Sequence, residues 1–239
     1  MHMRDLLVRG MLAGCLASVV AFGVATVIGE PPIDAAIAIE AQRAAAVHAH
    51  GDAAEDDAPV SRGVQRTIGL LAGMAVLGVA LGGLLAVVFA LTHRRVGTLG
   101  VRGTACGVAA LGFLAVYLVP FLKYPPNPPA VGDPDTIAMR TGAYLGLLLI
   151  SVLLVVGAAW LQRVLTDRLG AWRASLSAAA AFALGVAVVF LVLPGVREVP
   201  VDFPVDVLWR FRLASLATQL ALWSTLGLAF GALVERGRR

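Results

Sequence analysis

The sequence has few cysteines and lacks the motifs that define several large protein classes. Two cysteines occur among 239 residues, Cys15 and Cys106, and this number excludes a disulfide framework or a site built from several thiolates. The chain has no Gly-x-x-x-x-Gly-Lys-Ser/Thr loop for nucleotide phosphates and no His-Glu-x-x-His zinc motif. It also has no nucleophile with a base at useful spacing, so we expect no enzymatic activity.

Charged residues are also scarce, at 14% of the chain. The sequence pI of about 9.7 reflects bases scattered over short segments, without a basic patch interleaved with aromatic residues. We therefore expect no nucleic-acid partner. No Asp, Glu or His lies in the middle of a long apolar segment, where a proton-coupled carrier usually has one.

Long apolar segments dominate what is present. Hydrophobic residues make up 59% of the chain and the mean hydropathy is +0.86, which is typical of a polytopic membrane protein. A membrane helix needs about 20 apolar residues. The sequence therefore predicts an all-α transmembrane bundle, a single domain with six spans at about 6–28, 68–91, 99–122, 141–161, 174–193 and 213–234.

Basic residues concentrate on one side of this predicted topology. The terminal segments, the loops between spans two and three and between spans four and five, and the span ends beside them contain eleven bases and three acids. The other side contains eight bases and twelve acids. The positive-inside rule therefore predicts a protein of the inner (plasma) membrane with both termini in the cytoplasm and membrane lipid around it.

The first apolar segment follows Arg4 and Arg9, as in a secretory signal, but it is longer than the roughly 7 to 15 residues of a signal core. We interpret it as an uncleaved span; cleavage near Ala25 would leave five. Glycine pairs four residues apart, Gly10 with Gly14 and Gly69 with Gly73, predict close helix packing within the bundle.

The longest external segment, 29–67, contains the candidate metal site. An Ala-rich helical stretch precedes two histidines and four acids: His48, His50, Asp52, Glu55, Asp56 and Asp57. Imidazole suits cobalt, nickel and zinc, and carboxylates fill further positions. Two histidines that are two residues apart face the same side only in extended backbone, so chelation by this pair predicts a non-helical loop. The alternative is a solvated loop that binds no ion.

The other external segments offer fewer candidates. The Pro-rich loop at 123–140, with five prolines between 120 and 129, is interpreted as a stiff connector, a lid or a docking surface. Trp209 and Phe211 suit membrane anchoring. Four polar residues are candidates for a pathway or its entrance: Glu30, Asp202, Asp206 and Gln219. For Gln219 the alternative is an interhelical hydrogen bond.

Several segments resemble the CbtA family of predicted cobalt transporter subunits. They are the first span ending in GEPP at 29–32, HAH at 48–50, RGVQRT at 62–67, YPPNPP at 124–129 with Arg140 behind it, and the segment from Leu193 to Leu216. The resemblance implies an integral membrane protein for cobalt uptake in cobalamin synthesis. It also implies a small partner with one span and a His-rich tail.

We therefore expect a membrane subunit that takes up a divalent transition-metal cation, with no permanently bound cofactor. The resemblance implies that this cation is Co²⁺. The external His and acid loop would capture the ion. The alternative is a membrane scaffold or assembly factor that does not transport and whose Pro-rich external loops bind a partner.

Overall fold

A computed structural model describes residues 2–48, 61–93, 99–129, 131–132, 134–196 and 198–237. The described residues form helices and no strand, which confirms the predicted all-α class. The α-helices are α1 (Met3–Val24), α2 (Glu30–His48), α3 (Arg62–Val64), α4 (Leu70–Thr92), α5 (Val101–Gly112), α6 (Val119–Lys123), α7 (Ile137–Val192) and α8 (Val205–Arg236).

Three π-helical segments, Ala25–Gly29, Gln65–Gly69 and Phe113–Leu118, join α1 to α2, α3 to α4 and α5 to α6. A 3₁₀ turn at Pro134–Thr136 precedes α7. Within the described ranges, five continuous helical stretches are long and apolar enough to cross a membrane.

The main core lies where α1, α4, α5 and α8 meet. Its side chains are mostly alanine on α1 and α5 and larger on α8, where Leu222, Leu226, Phe230 and Val234 recur every fourth residue along one face. The Phe230 ring meets the Phe89 ring edge to face, with 5.2 Å between centroids. No described residue of α7 belongs to this core.

Glycine allows α1 and α4 to approach until their backbones touch. A Cβ added at Gly78 would lie 2.6 Å from the Gly14 carbonyl oxygen, and one at Gly82 would lie 2.8 Å from the Gly10 carbonyl carbon. The predicted role of Gly10 and Gly14 is confirmed. Their partners are Gly78 and Gly82, whereas a Cβ at Gly73 would meet nothing within 4 Å.

The first helix continues far beyond its predicted span. From Met3 to Ala45 it covers 43 residues, or about 65 Å at 1.5 Å per residue, roughly twice the hydrocarbon thickness of a bilayer. Pro31 and Pro32 do not end it, because the π-helical turn at Ala25–Gly29 contains the carbonyls that their rings would otherwise strike. The π-helical turn at Phe113–Leu118 stands in the same relation to Pro120.

The fourth long helix, α7, consists of two helices joined at Gly170. The 56 residues from Ile137 to Val192 are helical except at Gly170, whose φ of 75° and ψ of 159° break the helix. A Cβ at Gly185 would lie 2.7 Å from Leu154 Cδ2, although a straight helix would separate these residues by about 46 Å. The chain therefore doubles back at Gly170, between the predicted spans 141–161 and 174–193.

Each ion pair described here joins two residues that the sequence assigns to the same side of the membrane. Arg102 meets Glu235 at 2.5 Å near one end of the bundle, within the group predicted to be cytoplasmic. Arg43 meets Asp202 at 2.7 Å, and both belong to the group predicted to be external. The other ion pairs described below also join residues of the group predicted to be external, so no ion pair described here joins the two groups.

Candidate functional site

Three segments that the sequence predicts to be external pack together into one structure, which we call the outer cap: α2 and the described residues of the loops 124–132 and 193–204. Ala36 of α2 is buried against Val131 of the second segment and Phe203 of the third. Ile39 and Val199 complete this small apolar cluster. The cap therefore has its own core, separate from that of the helix bundle.

Arg43 ties α2 to the third external segment. Its Nη2 donates to Asp202 Oδ2 at 2.7 Å, and its guanidinium carbon lies 6.0 Å from the centroid of the Phe203 ring. The ion pair is solvent-exposed and contributes little by itself. Together, the ion pair and the apolar cluster hold the C-terminal half of α2 against the segment that contains Asp202 and Phe203.

At the base of the cap, Arg62 joins the start of the second long helix to the start of α2. Arg62 Nη2 lies 2.6 Å from Glu30 Oε2 and 3.1 Å from Asp34 Oδ1. Arg66 reaches the other Asp34 oxygen at 4.0 Å. The Glu30 side chain is only 11% exposed, so its charge depends on Arg62 for compensation.

A cavity of about 540 Å³ opens in the cap beside the Pro-rich loop. Its polar lining comes from Tyr124, Asn127, Arg140, Tyr144, Glu198 and Arg212. The Arg212 guanidinium donates to the Asn127 side-chain oxygen at 3.0 Å and to the Pro126 carbonyl at 3.4 Å. The Tyr124 hydroxyl donates to the Pro194 carbonyl at 2.8 Å, and burial raises the pKa of this phenol.

One wall of this cavity holds a buried carboxylate. Glu198 is 5% exposed at its side chain, accepts a hydrogen bond from the Thr136 hydroxyl and forms an ion pair with Arg140. Because Arg140 lies in the first turn of α7 and Glu198 follows its second half, the pair also holds together the two ends of the doubled-back helix. Lys123 connects the end of α6 to the end of α7, because its Nζ donates to the Phe190 carbonyl at 2.7 Å.

Comparison with known proteins assigns this chain to a family. A family model described as "Probable cobalt transporter subunit (CbtA)" matches residues 3–235, nearly the whole chain. The chain belongs to the CbtA family. No curated protein and no solved structure matches it. The resemblance noted from the sequence is thus confirmed, and with it a membrane protein of a cobalt transporter family.

Several of the residues that carried the resemblance to CbtA line the cavity of the outer cap. The cavity is lined by Tyr124, Pro125, Pro126 and Asn127 of the YPPNPP segment, by Arg140 behind it and by Arg212 of the last external segment. Sequence reasoning named these segments but did not single out Arg140, Glu198 or Arg212 as site residues. They are far apart in sequence, and only the return of α7 brings them together.

Most of the candidate metal site lies outside the described residues. His48 is the last residue of α2, and His50, Asp52, Glu55, Asp56 and Asp57 follow in the part of the chain that the structure does not describe. Within the described ranges, no three His, Cys, Asp or Glu side chains come together as a metal site would require. The His and acid site of this CbtA subunit therefore stays a prediction.

The four candidate pathway residues lie at separate levels. Glu30 is buried at the base of the cap with Arg62, and Asp202 is exposed beside Arg43. Asp206 is exposed in the first turn of α8, where a negative charge stabilises the helix. Gln219 is half-buried further along the same helix. None of the four lines the cavity.

Proposed function

We propose that this chain is the membrane-embedded subunit of a Co²⁺ uptake system that serves cobalamin synthesis and lies in the inner (plasma) membrane. The observation that carries the proposal is the match to the cobalt transporter subunit family over residues 3–235. The long apolar helices provide the membrane part, and the term subunit in the family description implies a transporter complex. The partner that we expect has one span and a His-rich tail.

The topology we propose has six spans and both termini in the cytoplasm. The break at Gly170 and the contact between the two halves of α7 support counting this helix twice. The excess of bases on the side of both termini supports the orientation. The outer cap then faces the medium and includes the helix that leads to His48.

In the mechanism we propose, the external acids concentrate cations within about 8 Å of the surface, the Debye length at physiological salt. His48, His50 and the acids that follow, Asp52 to Asp57, hold the ion briefly before it passes between the helices. The membrane potential supplies about 2.3 kcal/mol per charge per 100 mV, or roughly 4.6 for a divalent ion.

The structure also bears on the scaffold alternative. The Pro-rich loop makes contacts within the chain: Pro126 and Asn127 accept hydrogen bonds from Arg212, and Pro128 is buried. A loop engaged in this way has less surface for an external partner. This favours the transport subunit over a scaffold that docks through its prolines.

Uptake of radiolabelled cobalt into cells tests the capture site. The double variant His48→Ala, His50→Ala is expected to raise the apparent KM about tenfold, in the range seen when groups around a metal are lost. His2→Ala is the matched control, because it removes an imidazole predicted to face the cytoplasm. Uptake by the double variant that equals the control at limiting cobalt would eliminate the proposed capture site.

Reconstituted vesicles separate transport from scaffolding. Vesicles that contain this chain with its partner are expected to accumulate cobalt when the potential is negative inside, and vesicles with the partner alone are not. Accumulation that is the same with and without this chain would favour the scaffold. A comparison with vesicles containing this chain alone shows whether the partner is required.

A further inference from the structure

Among the described residues, the polar lining of the outer cavity has more positive than negative charge. Arg140 and Arg212 contribute two guanidinium groups, and Glu198 contributes one carboxylate. A bare divalent cation would meet net repulsion here. The cavity therefore has a different ligand chemistry from the candidate metal site beyond His48.

Both guanidinium groups have hydrogen-bonding capacity that the described residues leave unused. Arg140 Nε is buried and has no hydrogen-bond partner among the described residues, although Arg140 pairs with Glu198 through Nη1. Arg212 donates only to neutral oxygens of Pro126 and Asn127 and forms no ion pair with a described acid. A guanidinium presents five donors in a planar fork that matches a carboxylate.

The dimensions of the cavity fit a small molecule. A volume of about 540 Å³ falls within the roughly 300 to 1,000 Å³ typical of small-molecule pockets. Pro125, Val131, Tyr144 and Val199 provide apolar walls around the charged groups. Few precisely placed polar groups among apolar walls are the usual composition of such a pocket.

From this arrangement we infer that the outer cavity binds a small organic anion with at least two carboxylate groups. Arg212 and Arg140 receive the carboxylates, and Tyr144 and the prolines enclose the carbon skeleton. Glu198 keeps Arg140 in the wall and sets a limit on how much negative charge the cavity accepts. The inference does not depend on cobalt transport and would also hold for a scaffold.

Binding to the full chain in nanodiscs of neutral lipid tests the inference. Citrate, succinate, acetate and inorganic phosphate are titrated by calorimetry at constant ionic strength. We expect citrate and succinate to bind at least about tenfold more tightly than acetate, because a second charge-assisted hydrogen-bonded pair is gained. Phosphate is expected to bind more weakly than citrate.

Two arginines on α8 provide a matched comparison. Arg212→Gln is expected to weaken citrate binding by about tenfold or more. Arg210→Gln removes the same charge two residues away from an exposed position outside the cavity, and we expect little change. Because Arg212→Gln also loses contacts to the Pro-rich loop, Val196→Asp serves as a second variant that adds a negative charge to the cavity wall and should abolish citrate binding.

Three results would overturn the inference. The first is no citrate or succinate binding at millimolar concentration by the well-folded wild-type chain. The second is phosphate binding as tight as citrate binding, which would indicate a general oxyanion site such as one for lipid headgroups. The third is an equal loss of citrate binding in Arg210→Gln and Arg212→Gln, which would indicate non-specific surface charge.

Discussion

At the residue scale, the contact between α1 and α4 depends on the absence of side chains. Gly14 and Gly78 bring the two backbones together, and the Ser18 hydroxyl lies 2.8 Å from the Gly14 carbonyl and 2.7 Å from the Met74 carbonyl. In lipid, where apolar burial does not drive helices together, such close packing and hydrogen bonding supply much of the association energy.

Gly78→Ala should therefore destabilise the protein. The new Cβ would overlap backbone atoms of Gly14 and the Ser18 hydroxyl, and we expect a cost of about 1–3 kcal/mol, as for other overpacked sites. Gly73→Ala on the same helix meets open space and should be neutral. Thermal unfolding in detergent measures both, and equal melting temperatures for the two variants would contradict the described contact.

Arg62 offers a second test at this scale. Arg62→Gln leaves the largely buried Glu30 carboxylate without its counter-ion, which we expect to cost about 1–3 kcal/mol. Arg66→Gln removes only an exposed contact of 4.0 Å and should cost less than about 0.5 kcal/mol. The same unfolding assay compares them, and the double variant Glu30→Gln, Arg62→Gln should recover part of the loss.

Some of these residues could be found from the sequence and others could not. The spacing of Gly10 and Gly14 predicts close packing, and Gly78 and Gly82 have the same spacing, so the sequence already contained their signal. Arg140, Glu198 and Arg212 show no such local pattern. Their meeting depends on the path of α7, which is a tertiary feature.

At the element scale, apolar length predicts where helices lie better than where they end. The predicted spans fall within described helices except at two ends, where 99–122 begins two residues before α5 and 174–193 ends one residue after α7. In contrast, α1 and α2 continue past residue 28, where GEPP suggested an end. Proline usually stops a helix, and here a π-helical turn before it relieves the clash. No local sequence pattern predicts the π-helical turn at Ala25–Gly29.

The break in α7 gives a prediction at this scale. Gly170→Ala places a side chain at a φ of 75° and a ψ of 159°, a backbone region that essentially only glycine occupies, and we expect a cost of about 1–3 kcal/mol. Gly157→Ala in the first half of the same helix meets open space and should be neutral or slightly stabilising. Melting temperatures in detergent measure the difference, and a Gly170→Ala variant as stable as Gly157→Ala would contradict the sharp turn.

At the scale of the whole molecule, the separation of charges along the sequence predicts how the protein sits in the membrane. Bases predominate in the sequence segments assigned to the side of both termini and Gly170, and acids predominate in the segments assigned to the side of the outer cap. The sequence predicts this division because loop charge follows directly from span order.

Labelling of single cysteines tests the orientation. In a background without Cys15 and Cys106, Glu40→Cys on α2 should react with a membrane-impermeant maleimide on intact spheroplasts. Asp167→Cys, beside Gly170, should react only after the membrane is opened. Both positions are exposed, so accessibility to water is matched. The reverse pattern would place the cap in the cytoplasm and remove the basis of the uptake proposal.

The packing of α2 against the segment that precedes α8 constrains the order of assembly during synthesis. The first helix leaves the ribosome long before the last, and Ala36 and Arg43 on its extension contact Phe203 and Asp202, about 160 residues later in the chain. Contacts between residues so distant in sequence form late. A nascent chain paused before residue 200 would therefore expose the apolar side of α2 to chaperones and proteases, and quality control would recognise unfinished copies there.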